Sequence, residues 1–166
     1  EWALRWVWNR PEVTVLLSGM NEESHVEQNL AIADRALPSS LTAGELAMVG
    51  EASLMYREIM KVGCNGCGYC TPCPMDVDIP GVFEIYNDLH MYGKREEARF
   101  IYALRMSGLI TGKPGYASQC EQCQDCVEKC PQELAVPDLL AQVVNELEGA
   151  DLSQREAVVR QMMGIG

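Results

Sequence analysis

The sequence predicts a mainly α-helical protein that carries two cysteine-rich loops between its helices. Three observations support this fold class. Apolar residues recur at helical spacing over most of the chain. All eight cysteines fall into two tight runs, at residues 64–73 and 120–130. A single short segment, Val13–Leu17, has the β-branched and leucine-rich composition of a buried parallel strand.

The first 38 residues predict a helix, a strand and a second helix. Trp2 and Trp6 lie at helical spacing before Pro11, so a short helix is expected to precede the strand at Val13–Leu17. The next helix is expected over residues 22–36, because apolar residues share one face there and a proline follows.

Helices are also predicted on both sides of each cysteine run. Asp78 is a suitable N-cap for the first helix between the runs, and Gly93 is expected to end that helix. Ser39, Ser40 and Thr42 are candidate caps for the helix before the first run, which is expected to extend to about Met60. The expected ranges of the remaining helices are 94–108, 137–148 and 153–163.

The composition excludes some classes of partner. The formal net charge is −11, which argues against a nucleic-acid partner because phosphate binding favours a basic surface. No apolar run approaches the roughly 20 residues of a membrane span, and no signal-peptide pattern opens the chain. We therefore expect no membrane and a cytoplasmic, reducing compartment. Because the chain begins at Glu1 rather than Met, we expect it to be a piece of a longer protein.

The negative charge is concentrated around the second cysteine run. Residues 120–148 contain seven acidic residues and one lysine, Lys129. Two interpretations remain open: a solvated face, or a docking patch that attracts a basic redox partner protein.

The cysteine spacing predicts iron–sulfur clusters. The first run reads CNGCGYCTPCP, and the second reads CEQCQDCVEKCP. The second matches the bacterial ferredoxin pattern C-x2-C-x2-C-x3-C-P, whereas the first has two residues, rather than three, before its fourth cysteine. Each run is followed by the same pattern of Cys-Pro, an acid, two aliphatic residues and a proline, in Cys73–Pro80 and Cys130–Pro137. We interpret this repeat as a duplicated half-site.

Eight thiols supply the ligands of two [4Fe–4S] clusters. In two-cluster ferredoxins the fourth cysteine of a run serves the other cluster. The first cluster is therefore expected to bind Cys64, Cys67, Cys70 and Cys130. The second is expected to bind Cys120, Cys123, Cys126 and Cys73. Zinc, which also takes four thiolates, and disulfides are the alternatives.

The first cysteine run resembles the cysteine box of the iron–sulfur aldo/keto reductases of anaerobic bacteria and archaea. Residues 3–8 and 13–20 look like the last helix–strand unit of that family's (β/α)8 barrel. The resemblance implies an α-helical ferredoxin domain at residues 61–166, after a barrel remnant and connecting helix at residues 1–60. It implies no catalytic residue here, because the family's catalytic side chains lie on earlier strands.

The same resemblance suggests a nicotinamide cofactor, NAD(P), in the full-length protein, contacted by Gly19 and Asn29. The expected function is electron transfer as the C-terminal portion of an oxidoreductase. The expected partner is a redox protein or the missing barrel, and self-association through the truncated N-terminal segment is a further expectation. The alternative function is a helical interaction module stapled by zinc or by clusters that do not cycle. The sequence leaves open whether the chain is itself an enzyme.

Overall fold

The computed structural model describes residues 1–165, and no β-strand occurs among them. Its contacts divide the chain into two units, residues 1–55 and the residues from Tyr56 onward. The α-helices are α1 (Trp2–Trp8), α2 (Glu23–Ala33), α3 (Ala43–Ile59), α4 (Ile79–Tyr92), α5 (Arg95–Met106), α6 (Asp125–Glu128), α7 (Val136–Val143) and α8 (Leu152–Met162). None of these described helices has the length and hydropathy needed to cross a membrane.

The predicted strand at Val13–Leu17 is wrong. The segment has no regular secondary structure, and Val15 and Leu17 are 74% and 94% exposed. A parallel strand is stabilised by hydrogen bonds to neighbouring strands, and the part of the chain described here supplies none. The apolar composition was therefore not enough to form the strand of a barrel unit.

The first unit is tied together by polar contacts around Asn9. The Leu41 amide donates to Asn9 Oδ1 at 2.9 Å, and Arg5 forms an ion pair with Glu45 at 2.9 Å. Thr42 and Glu45 form a capping box at the start of α3, with bonds of 2.8 Å and 3.2 Å between side chain and backbone. Of the three candidate caps, Ser39, Ser40 and Thr42, it is Thr42 that caps α3.

The second unit is built around α4. Its apolar stripe includes Val82 and Phe83, both with no exposed surface, and packs against α5 and α7. The predicted N-cap is confirmed, because the Gly81 amide donates to Asp78 Oδ1 at 3.1 Å. Gly93 ends α4 in the left-handed region, with φ of 65°, as a helix C-terminus favours.

A π-helical turn, Val144–Glu148, replaces the end of the predicted helix over 137–148. It carries two acidic side chains inward. Glu146 accepts a bond of 2.6 Å from Tyr86 Oη and lies 3.4 Å from His90 Nε2. Glu148, 5% exposed, accepts a bond of 2.7 Å from Tyr102 Oη. The turn therefore fixes two polar contacts that an ideal α-helical register would not predict.

Arg99, on α5, is largely buried. Its side chain is only 15% exposed and forms an ion pair with Asp151, just before α8. Arg155 on α8 bonds the same carboxylate and the backbone oxygen of Glu148. These contacts connect α5 to α8 and to the π-helical turn, and they lower the pKa of Asp151 through hydrogen bonds from Arg155 and Arg99.

Candidate metal centre

The first cysteine run lies between α3 and α4 in a segment without regular secondary structure. Gly66 and Gly68 adopt positive φ values of 71° and 76°, which glycine reaches without steric cost. The Gly66 amide lies 3.5 Å from Cys64 Sγ. The loop conformation therefore directs the Gly66 N–H group at the Cys64 sulfur.

The second cysteine run follows a 3₁₀ turn, Ala117–Gln119, and continues into α6. Gln122 and Gln124 hold left-handed backbone conformations, with φ of 56° and 72°. These two residues flank Cys123, as Gly66 and Gly68 flank Cys67 in the first run. Neither the 3₁₀ turn nor α6 was predicted from the sequence.

The repeat after each run has matching geometry. Asp76 and Glu133, at the same offset, have φ of 57° and 53°. Their amides donate to the carbonyls of Cys73 and Cys130, each at 3.0 Å. The next helices, α4 and α7, begin six residues after these cysteines. The two segments are equivalent in backbone conformation as well as in sequence, which supports the interpretation of a duplicated half-site.

Four cysteines from both runs line a first small cavity. They are Cys64, Cys67, Cys70 and Cys130. The rest of the wall is largely apolar and includes Ile79, Phe83 and Val136. The residues that line it include no charged side chain.

A second small cavity is lined by Cys73, Cys120, Cys123 and Cys126, together with Cys70. Its wall also contains charged residues, namely Glu121, Asp125 and Lys129. Cys70 and Ile79 line both cavities, so the two spaces share a wall. The four cysteines that the sequence assigned to each cluster thus line the same cavity, and Cys70 also lines the other one.

The thiols around each cavity interact electrostatically. Burial raises the pKa of Cys70, and thiolates at Cys64, Cys67 and Cys130 raise it further. Burial, followed by thiolates at Cys120, Cys123 and Cys70, raises the pKa of Cys126 to about 11. Several negative sulfurs are unfavourable in so small a space without a cation. Both cavities therefore favour a positively charged, thiolate-binding group.

The cysteines of each set lie around one cavity. All eight cysteines are free thiols. Among residues 1–165, no three His, Cys, Asp or Glu side chains are grouped closely enough to hold a single metal ion. A tetrahedral Zn²⁺ site with bonds of about 2.3 Å needs sulfurs about 3.8 Å apart. A cubane has iron and sulfide atoms between its four ligands, so its thiolates stand farther apart.

The range of residues that contains both runs matches a known family. Residues 63–136 match the family model of the 4Fe-4S dicluster domain. This part of the chain is an iron–sulfur, ferredoxin-like region, and its cysteines indicate electron transfer through iron–sulfur clusters. No curated protein matches the chain, and no solved structure matches it.

Gly19 and Asn29, suggested as contacts for a nicotinamide cofactor, lie in the first unit. Asn29 Nδ2 donates to Ser18 Oγ at 3.1 Å, in a pocket lined mainly by apolar side chains of α1 and α2. Gly19 is exposed. The match to the 4Fe-4S dicluster domain does not reach these residues, so their role stays a prediction.

Proposed function

We propose that this chain transfers single electrons through two [4Fe–4S] clusters. The first cluster is held by Cys64, Cys67, Cys70 and Cys130. The second is held by Cys73, Cys120, Cys123 and Cys126. The observation that carries this proposal is the pair of cavities, each lined by one of these sets of four thiols and each drawing on both cysteine runs.

The chemistry of the donors supports iron–sulfur clusters. Thiolates are the ligands of [4Fe–4S] clusters, and the match to the 4Fe-4S dicluster domain covers all eight cysteines. The Gly66 amide beside Cys64 Sγ is an N–H group near a ligand sulfur, and such bonds tune the reduction potential of a cluster. When bound, the clusters supply one-electron chemistry, and the protein supplies burial, hydrogen bonds and charge.

The shared wall supports passage of electrons between the two sites. Cys70 and Ile79 border both cavities, so the two cavities are separated by no more than these side chains at that point. The charges differ between the sites, because Glu121 and Asp125 line only the second cavity. Negative charge stabilises the oxidised form, so the second cluster has the lower potential.

Anaerobic reduction tests the electron-transfer function. We expect the purified full chain to show broad visible absorbance that bleaches with dithionite and returns with a mild oxidant. A coloured protein that resists reduction across the accessible range would contradict electron transfer and leave the clusters a structural role.

The resemblance of the first cysteine run to the iron–sulfur aldo/keto reductases supports an oxidoreductase of that kind as the physiological setting. The test is reduction of a carbonyl substrate by the full-length protein, with reduced viologen as the electron donor. Activity that survives removal of both clusters would contradict this setting.

A further inference from the structure

Asn87, on α4, holds the chain at the entrance to the first cysteine run. The residue is 7% exposed and bonds both backbone groups of Val62, which is buried. Its Oδ1 atom accepts from the Val62 amide at 2.9 Å, and its Nδ2 atom donates to the Val62 carbonyl at 2.8 Å. Val62 lies two residues before Cys64. One side chain therefore replaces the backbone partner that this irregular segment lacks.

Gln119 holds the two cysteine runs to each other. Its Nε2 atom donates to the Met75 carbonyl at 2.8 Å, and its Oε1 atom accepts from the Tyr116 amide at 2.8 Å. Gln119 directly precedes Cys120, and Met75 lies two residues after Cys73. The bond to Met75 thus joins the two segments that supply Cys73 and Cys120 to the second cavity.

We propose that Asn87 and Gln119 are positioning residues, each for one cluster. Asn87 fixes Cys64 for the first cluster, and Gln119 fixes Cys73 and Cys120 for the second. This inference rests on the proposed function and on its two sets of ligands.

The physical basis is the cost of ordering the loops. Fixing the backbone of each residue costs conformational entropy, and both runs lie mostly outside regular secondary structure. Hydrogen bonds that already hold a loop segment before the cluster binds lower the entropy that the segment loses on binding. Because Asn87 bonds Val62, two residues before Cys64, whereas Gln119 joins the segments that follow Cys73 and precede Cys120, their effects fall on different clusters.

Residue-resolved thiol labelling tests the inference. The variants are Asn87→Asp and Gln119→Glu, which keep the shape of the side chain and replace the donating nitrogen by an oxygen that repels the carbonyl. The controls are Asn145→Asp and Gln142→Glu, which make the same changes at exposed positions. Each full-length chain is loaded with iron and sulfide without oxygen, challenged with a chelator and treated with iodoacetamide. Mass spectrometry then measures labelling at each cysteine.

In Asn87→Asp we expect labelling of Cys64, Cys67, Cys70 and Cys130 to accelerate about tenfold, as the loss of a buried hydrogen bond implies. The other four thiols should keep the wild-type rate. Gln119→Glu should show the reverse pattern. In each variant the retained cluster should keep its wild-type electron paramagnetic resonance signal, and the controls should match the wild type.

Uniform labelling of all eight thiols in either variant, or wild-type rates in both, would overturn the inference. Asn87→Leu and Gln119→Met, which remove the hydrogen bonds without adding charge, should reproduce the two patterns. Simultaneous loss of both clusters in these second variants would also overturn it. A wild-type chain that binds no iron would instead contradict the proposed function.

Discussion

The buried hydroxyl of Tyr102 provides a quantitative test of the second unit. Its side chain has no exposed surface. Tyr102 Oη donates to Glu148 Oε1 at 2.7 Å and accepts from the Ala117 amide at 2.9 Å. Glu148 Oε1 also accepts from the Ser118 amide at 3.0 Å. The hydroxyl thus connects α5, the π-helical turn and the 3₁₀ turn that leads into the second cysteine run.

Tyr102→Phe removes this hydroxyl and keeps the ring. A net contribution of about 0.5–1.5 kcal/mol is lost with the bond to Glu148, and the unpaired Ala117 amide costs about 1–3 kcal/mol. We therefore expect the free energy of unfolding to fall by about 3 kcal/mol. At about 2–4 °C for each kcal/mol in a chain of 166 residues, the midpoint of thermal unfolding should fall by about 6–12 °C.

The assay is anaerobic thermal unfolding of the loaded chain, followed by far-ultraviolet circular dichroism at one fixed scan rate. Tyr92→Phe is the control, because Tyr92 is 65% exposed. It should change the free energy of unfolding by less than about 0.5 kcal/mol. A Tyr102→Phe midpoint indistinguishable from that of Tyr92→Phe would refute the reasoning.

Three further predictions concern the turns, the caps and the charge around the clusters. In Gly108→Ala the new methyl group would lie 2.5 Å from the backbone of residues 113–114, so we expect a loss of about 2–4 kcal/mol by chemical unfolding. Gly112→Ala, where no atom lies within 4 Å, should cost about 1–2 kcal/mol, and equal losses would contradict the steric argument. Thr42→Ala removes the cap of α3 and should cost about 1 kcal/mol in the same assay, whereas an unchanged midpoint would exclude that role. Asp125→Asn should raise the potential of the second cluster in a redox titration, and a shift confined to the first cluster would contradict the proposed charge asymmetry.

The parts of the fold that depend on neighbouring residues could be predicted from the sequence. Asp78 and Gly93 bound α4 through a cap and a left-handed turn, which require only local chemistry. The two sets of cysteines that line the cavities could also be predicted from the sequence, because the spacing within each run is typical of iron–sulfur ligand loops.

Other features depended on distant residues. Val13–Leu17 has the composition of a strand, yet a strand needs partners from outside that segment. Asn87 and Gln119 bond backbone groups 25 and 44 residues away, and nothing in their immediate sequence indicates those partners. Asn87 did carry one signal, since a polar residue on the apolar stripe of α4 must find hydrogen-bond partners when buried.

The iron and sulfide content of the chain tests the central claim most directly. Native mass spectrometry of anaerobically purified protein should show about eight iron and eight sulfide atoms in each chain. Cys123→Ser should halve that content while the first cluster remains. A wild-type chain that carries zinc, or whose cysteines are joined in disulfides, would contradict the account.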